Sequence, residues 1–76
     1  MLEPLPSFRE AKADVVARFE RAYLMRLLQL ELGHLSNAAR RAGLDRKNLW
    51  QLLKRHDLSA EDFKPARVTG AARAPG

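Results

Sequence analysis

The sequence contains no cysteine, which excludes disulfide bonds and cysteine-ligated metal sites. Its two histidines, His34 and His56, stand far apart without ligand-like neighbours, so no metal site is expected. A glycine-rich phosphate loop and a carboxylate pair beside a histidine are also missing, and we expect neither an enzyme nor a bound cofactor. No apolar run approaches the ~20 residues of a transmembrane span, and the N-terminus lacks the order of a signal peptide. These absences predict a cytoplasmic protein without a membrane partner.

Glycine and proline are absent from residues 7–32, where no strand-like alternation is visible. Ser7 followed by Glu10 forms a capping-box pattern, which predicts a long helix from about Phe8 to Leu32. The second half of this helix is apolar over most of its circumference, more than one core-facing stripe needs. Because an exposed apolar strip on a small domain usually marks a partner surface, we expect a homodimer, unless later helices cover both stripes. The predicted dimer interface comprises Val16, Tyr23, Leu24, Leu27 and Leu28.

Two glycines divide the second half of the chain. Gly33 is placed to end the first helix, in the C′ position that follows a helix end. Ser36 is a good N-cap for a short second helix over residues 37–42. Gly43 then supplies the left-handed backbone that a tight turn needs.

A third helix and an irregular tail follow the second glycine. Asp45 is placed to cap a helix over residues 46–56, with its carboxylate on the free N–H groups of the first turn. A row of leucines on one face of this helix, Leu49, Leu52 and Leu53, is expected to pack it onto the others. The fold class is therefore all-α, a long N-terminal helix followed by a helix-turn-helix. The expected segments are a linker at 1–6, the helical domain at 7–58, a short turn at 59–63 and a disordered tail at 64–76.

The positive charge is concentrated on residues 33–58, which carry six Lys/Arg against two Asp/Glu, net +4 of the chain's +5. Here Ala39, Gly43 and Leu49 have the spacing of a helix-turn-helix, with a small residue for close approach, a turn glycine and a packing aliphatic. The outward face of the third helix then carries residue types that contact phosphates and base edges. These residues are Arg46, Lys47, Asn48, Trp50, Gln51, Lys54 and Arg55. The pattern predicts binding to double-stranded DNA.

The segment "GHLSNAARRAGLDRKNLWQLLKRHDL" resembles the Fis-type helix-turn-helix. The positions that match the family pattern are Gly33, Ser36, Ala38, Ala39, Gly43, Leu44, Arg46, Leu49 and Leu53. The preceding helix looks like the lead-in helix of the same domain at the C-terminus of NtrC-type response regulators, the sigma-54-dependent transcriptional activators. The resemblance covers about residues 7–58 without a gap.

The resemblance implies a bacterial, nucleoid-associated homodimer that presents two recognition helices to successive major grooves of a partly palindromic site. It also implies other domains of a parent regulator, which receive the signal, hydrolyse ATP and contact the polymerase. Arg46 stands at the position expected to read a base, commonly guanine. Asn48 and Ser36 stand where phosphate contacts are expected, and Lys54 is a further candidate for the DNA backbone.

Two positions depart from the family pattern. His34 replaces a common Asn, so the phosphate contact of that residue is not carried over. Trp50 stands where many members have Arg or Tyr, and two interpretations are open: contact with a sugar or a thymine methyl group, or shielding of the helix junction. Asp45 is able to accept from a cytosine amino group, although capping is the preferred interpretation.

Two other functions use the same features. A stand-alone Fis-like nucleoid protein that bends DNA needs the same dimer, although the "MLEPLP" start favours a domain attached to a larger regulator. A helical protein-interaction module instead presents its basic face to an acidic partner. Salt separates the module from a DNA binder, since a duplex held through several phosphates loses roughly 10³-fold or more in affinity between low and moderate salt.

Overall fold

The computed structural model describes residues 4–65, and every regular element among them is helical. The bounds are Phe8–Leu30 for α1, Leu35–Ala42 for α2, Arg46–Arg55 for α3 and Ala60–Phe63 for a short 3₁₀ helix. The predicted all-α class is confirmed for this part of the chain. Residues 1–3 of the predicted linker and residues 66–76 of the predicted tail lie outside the described residues.

α1 begins at the capping box that the sequence predicts. Ser7 Oγ accepts a hydrogen bond from the Glu10 backbone N–H at 3.1 Å, and Glu10 Oε1 accepts from the Ser7 N–H at 3.2 Å. The two residues thereby satisfy two of the N–H groups that a helix start leaves without an intrahelical partner. Local sequence alone therefore fixes where this helix begins.

The end of α1 differs from the prediction. The helix stops at Leu30, and Leu32 takes the left-handed conformation that the sequence predicts for Gly33, with φ of 54°. Gly33 follows at φ 77° and donates its N–H to the Leu28 carbonyl oxygen at 2.9 Å, which closes a Schellman turn. A Cβ at Gly33 would collide with the Ala60 backbone oxygen, so this glycine also lets the 3₁₀ helix approach.

α2 begins at Leu35 instead of the predicted Asn37, because the Ala38 N–H already donates to the His34 carbonyl oxygen at 2.9 Å. The prediction that Ser36 is the N-cap is therefore wrong, and His34 holds that position. Within the described chain, the His34 side chain forms no capping hydrogen bond. Ser36 lies in the first turn of the helix, where it is exposed.

The turn between α2 and α3 has the backbone that the sequence predicts. Gly43 has φ of 73° and ψ of 25°, in the left-handed region. The Leu44 N–H donates to the Ala39 carbonyl oxygen at 2.9 Å, and the Leu44 side chain packs against the core. The turn thus fixes the direction in which α3 leaves α2.

The core lies where one face of α1 meets α2 and α3. Its seven buried residues are Leu24, Leu27, Leu28, Ala38, Ala39, Leu49 and Leu53. The two alanines let α2 approach its neighbours closely, and the leucines fill the space between the helices. Full burial of one leucine side chain contributes about 1.5–3 kcal/mol. The half-buried residues around this cluster are Leu35, Ala42, Leu44, Leu52, Leu58, Ala60 and Phe63.

The core corrects three of the five residues predicted for the dimer interface. Leu24, Leu27 and Leu28 are at most 2% exposed and pack inside the single chain. Periodicity shows that α1 has two apolar stripes, but it does not show which of them α2 and α3 cover. A charge at Leu28 would therefore disrupt the fold and not a contact between chains. Val16 and Tyr23, the other two predicted residues, remain on the surface at 42% and 43% exposure.

The apolar side chains that α1 leaves exposed form a second surface, which we call the apolar stripe. It comprises Phe8, Val15, Val16, Phe19, Tyr23 and Leu30. At about 100° per residue these side chains fall on one side of α1, away from the core-facing leucines. None of the helices in residues 4–65 combines the length and the apolar character that a membrane crossing requires.

Gly33→Ala and Gly43→Ala should destabilise the fold to different extents. At Gly43 the new methyl group would lie in open space, with no described residue beyond its chain neighbours within 4 Å, so only left-handed strain of about 1–2 kcal/mol is expected. At Gly33 the collision with the Ala60 oxygen adds to the same strain, and the loss should be larger. Urea unfolding measures both losses, with Gly43→Asn as the control because asparagine tolerates this backbone better. Equal losses at the two glycines would contradict the close approach of the 3₁₀ helix.

Candidate nucleic-acid interface

α3 begins at Asp45, which caps the helix as predicted. Asp45 Oδ1 accepts from the Asn48 backbone N–H at 2.7 Å, and Asp45 Oδ2 accepts from the Asn48 side-chain amide at 3.2 Å. The carboxylate thereby satisfies a free donor of the first turn and lies at the positive end of the helix dipole. A side-chain amide carries two N–H donors, so Asn48 retains one for another partner.

One face of α3 is buried and the other is open to solvent. Leu49 is fully buried and Leu53 is 3% exposed, so these two residues anchor the helix in the core. Every residue predicted for the outward face is exposed, namely Arg46, Lys47, Asn48, Trp50, Gln51, Lys54 and Arg55. The fold brings all seven onto one accessible surface, which we call the α3 face.

The α3 face is strongly cationic. Within residues 4–65, its Arg46, Lys47, Lys54 and Arg55 form no ion pair with a carboxylate. The arginines that do pair with carboxylates lie on α1 and α2. Unpaired cations gathered on one short helix produce a positive potential that attracts a polyanion.

The N-terminus of α2 lies beside the start of α3. Ser36 and Arg46 border the same hollow, although most of α2 and the turn separate them in sequence. Because no described side chain caps α2, the N–H groups of its first turn are free for an anion. Glu61 also borders the hollow, and Lys64 Nζ lies 3.4 Å from its carboxylate and offsets that charge. No three His, Asp or Glu side chains in residues 4–65 gather to hold a metal ion.

Trp50 belongs both to the helix junction and to the α3 face. It lines a hollow over the core together with Leu53 and Leu58, which places it at the edge of the helix junction. The residue is nevertheless 50% exposed. Lys54 Nζ lies 4.8 Å from the centroid of the ring, and this cation–π contact holds the indole along the α3 face.

Polar contacts also tie the helix-turn-helix to α1, and the sequence analysis missed them. His56 Nε2 lies 2.8 Å from Glu20 Oε1, and the two side chains are only 10% and 28% exposed. The Arg21 guanidinium donates to the His56 backbone oxygen at the end of α3, and Arg41 of α2 pairs with Glu31. Glu20 and His56 are 36 residues apart, so no local pattern signals their contact.

Sequence comparison relates the chain to transcriptional regulatory proteins. One is the transcriptional regulatory protein GlrR of Escherichia coli strain K12, and another is the transcriptional regulatory protein QseF of Escherichia coli O157:H7. Each is 47% identical to the chain over 60 residues, which cover 79% of the chain but only 13% of the relative. No family model matches the chain. No solved structure matches it either.

The Glu20–His56 contact should contribute measurably to stability. In a double-mutant cycle of Glu20→Ala and His56→Ala, the coupling free energy should be about 0.5–1.5 kcal/mol, since the pair is partly buried. The same cycle on Asp14 and Arg18, an exposed pair on α1, is the control and should give less than about 0.5 kcal/mol. Urea unfolding of each variant supplies the free energies. A coupling no larger than that of the exposed pair would show that the contact does not hold α3 to α1.

Proposed function

We propose that the chain is a sequence-specific double-stranded DNA-binding domain, the C-terminal part of an NtrC-like, sigma-54-dependent transcriptional activator. The observation that carries the proposal is the α3 face, an exposed helix surface whose cations have no carboxylate partner in residues 4–65. The similarity to transcriptional regulatory proteins supports it independently. Because those relatives are much longer, the proposal includes further domains that receive a signal and act on the polymerase, in a bacterial cytoplasm where the regulator associates with the nucleoid.

The dimensions of α3 suit the major groove of DNA. Its ten residues make a cylinder about 15 Å long and ~10–12 Å in diameter, and the groove is ~12 Å wide. Leu49 and Leu53 face the core, so the opposite side, centred on Gln51, points into the groove, with Lys47 and Lys54 beside it. The N-terminal end of a recognition helix is the part that contacts base edges.

Two side chains, Arg46 and Gln51, contact base edges. Arg46, in the first turn of α3, reads a guanine through paired hydrogen bonds to O6 and N7. Gln51 lies on the side opposite the core, where its carboxamide pairs with the N6 and N7 groups of an adenine. Lys47, Lys54 and Arg55 contact phosphates on either side of the groove.

Two polar groups complete the phosphate contacts. Ser36 and the free N–H groups of the first turn of α2 hold a phosphate beside Arg46. Asn48 contributes the amide N–H that Asp45 does not accept. Such contacts fix the register of α3 on the duplex and carry no sequence information themselves.

In the proposed assembly, a second copy of the chain binds along the apolar stripe. Among residues 8–19 only Ala11 is even partly buried, so this half of α1 has almost no packing within its own chain. An isolated helix of such length is marginal in water and gains stability from a partner. Phe8 is 83% exposed and Phe19 is 64% exposed, in a row that a twofold-related α1 would cover. The resulting pair presents two α3 faces to a partly palindromic site.

Arg46→Ala should weaken binding to a duplex selected from a random pool by about 1–3 kcal/mol, through loss of a paired base contact. Discrimination should also relax at one base-pair position of each half-site. Fluorescence anisotropy at several salt concentrations measures the affinity, which falls steeply with salt when phosphates are contacted. Arg18→Ala is the matched control on α1, where Arg18 pairs with Asp14, and should change the affinity by less than about 0.5 kcal/mol.

Two results would contradict this assignment. Unchanged base discrimination in Arg46→Ala would remove that residue from the reading surface. A wild-type chain that binds no duplex in a salt-dependent way would overturn the proposed function and favour the protein-interaction module.

Phe19→Asp should separate the dimer into folded monomers, because the charge enters the middle of the apolar stripe. Sedimentation should then report the mass of one chain, while circular dichroism still reports the helices that surround the core. Ala17→Asp is the matched control, since it adds the same charge to an exposed position of α1 outside the apolar stripe. If Phe19→Asp sediments like the wild-type chain, the apolar stripe is not the interface.

A further inference from the structure

Trp50 lies one helical turn after Arg46. Both residues line a third open hollow, together with Leu35 and Lys47. The walls of this hollow are mostly apolar, and Leu35 and Trp50 are its two apolar residues. We infer that the hollow receives the C5-methyl group of a thymine, and that Trp50 and Leu35 determine specificity for that base. The inference rests on the proposed function and adds thymine to the bases that α3 recognises, through an apolar contact instead of a hydrogen bond.

The surroundings of the hollow select its occupant. Arg46 and Lys47 form part of its wall, and Lys54 lies against the indole of Trp50, so the opening lies within the cationic α3 face. An apolar segment of a protein or a lipid chain would leave these cations without a counter-charge. A duplex supplies phosphates to the cations and, in the major groove, one apolar group on a base edge, the methyl group of thymine.

The spacing of the two reading side chains predicts where the thymine lies. Arg46 and Trp50 are four residues apart on one face of α3, and four residues advance a helix by about 6 Å. Successive bases on a strand are about 3.4 Å apart. The thymine therefore lies one or two base-pair steps from the guanine that Arg46 reads.

The indole is held in place before DNA arrives. Trp50 lines a hollow over the core with Leu53 and Leu58, and Lys54 Nζ lies 4.8 Å from the centroid of its ring. A side chain that is already ordered loses little conformational freedom on binding, so more of the gain from burying a methyl group appears as affinity. The half of Trp50 that remains exposed is the part that a base edge contacts.

Replacement of thymine by uracil, one position at a time, tests the inference on the wild-type chain. Uracil lacks only the methyl group, so pairing and phosphates stay the same. At one thymine in each half-site, one or two steps from the guanine, the affinity should fall about threefold to fivefold, the value of burying one methyl group. Uracil at the other thymines of the same duplex is the control and should have little effect. Trp50→Arg should bind both duplexes equally, because it keeps a phosphate-binding group but removes the apolar wall.

The fluorescence of Trp50 gives a second and independent measurement, since it is the single tryptophan of the chain. Quenching by acrylamide should fall at least about twofold when the selected duplex binds, because much of the exposed half of the indole becomes covered. Shielding together with a position-specific uracil effect supports the inference. Shielding without a uracil effect assigns Trp50 to the sugar or backbone and overturns it, as does quenching that DNA leaves unchanged. A wild-type chain that binds no duplex overturns the proposed function as well.

Discussion

The packing of α2 and α3 against one face of α1 is the constraint on which the rest of the structure depends. The core of the described chain has only seven residues, so each helix is able to bury a single face. α3 uses Leu49 and Leu53 for this purpose, and its cations must therefore face solvent. α1 uses its three core leucines, and the side chains of the apolar stripe stay outside. The minimal core thus creates two exposed surfaces of opposite chemistry.

The contacts between α1 and α3 give these two surfaces a fixed relation. Glu20 contacts His56 at the end of α3, and Arg21 donates to the backbone oxygen of the same residue. If a second chain binds along the apolar stripe, the distance between the two α3 faces follows from this junction. Half-site spacing on a duplex is then set by contacts inside one chain, far from any base.

Features that depend on a few neighbouring residues could be predicted from the sequence. Two helix caps, Ser7 with Glu10 at α1 and Asp45 at α3, each form hydrogen bonds within one helical turn. Gly43 needs only the left-handed backbone that its lack of a Cβ permits. The exposed side of α3 could also be predicted, because the leucines of this helix identify its buried side. The residues that form the α3 face could therefore be predicted from the sequence.

Features that depend on packing between helices could not be predicted. Two apolar stripes on α1 look equivalent in the sequence, and only the docking of α2 and α3 shows that Leu28 is core while Phe19 is surface. Ser36 is a better capping residue than His34, yet α2 begins two residues earlier than predicted, where the Ala38 N–H donates to the His34 oxygen. The Leu35 wall beside Trp50 likewise exists only after α2 meets α3.

Mapping of backbone amide resonances during titration with a selected duplex shows which surface of the chain binds DNA, because it reports every part of the chain in one experiment. The largest shifts should fall on Ser36 and on the exposed positions of α3, while amides along the first half of α1 should change little. Shifts concentrated on α1 around Phe19, or a spectrum that the duplex leaves unchanged, would contradict the claim that the α3 face binds DNA.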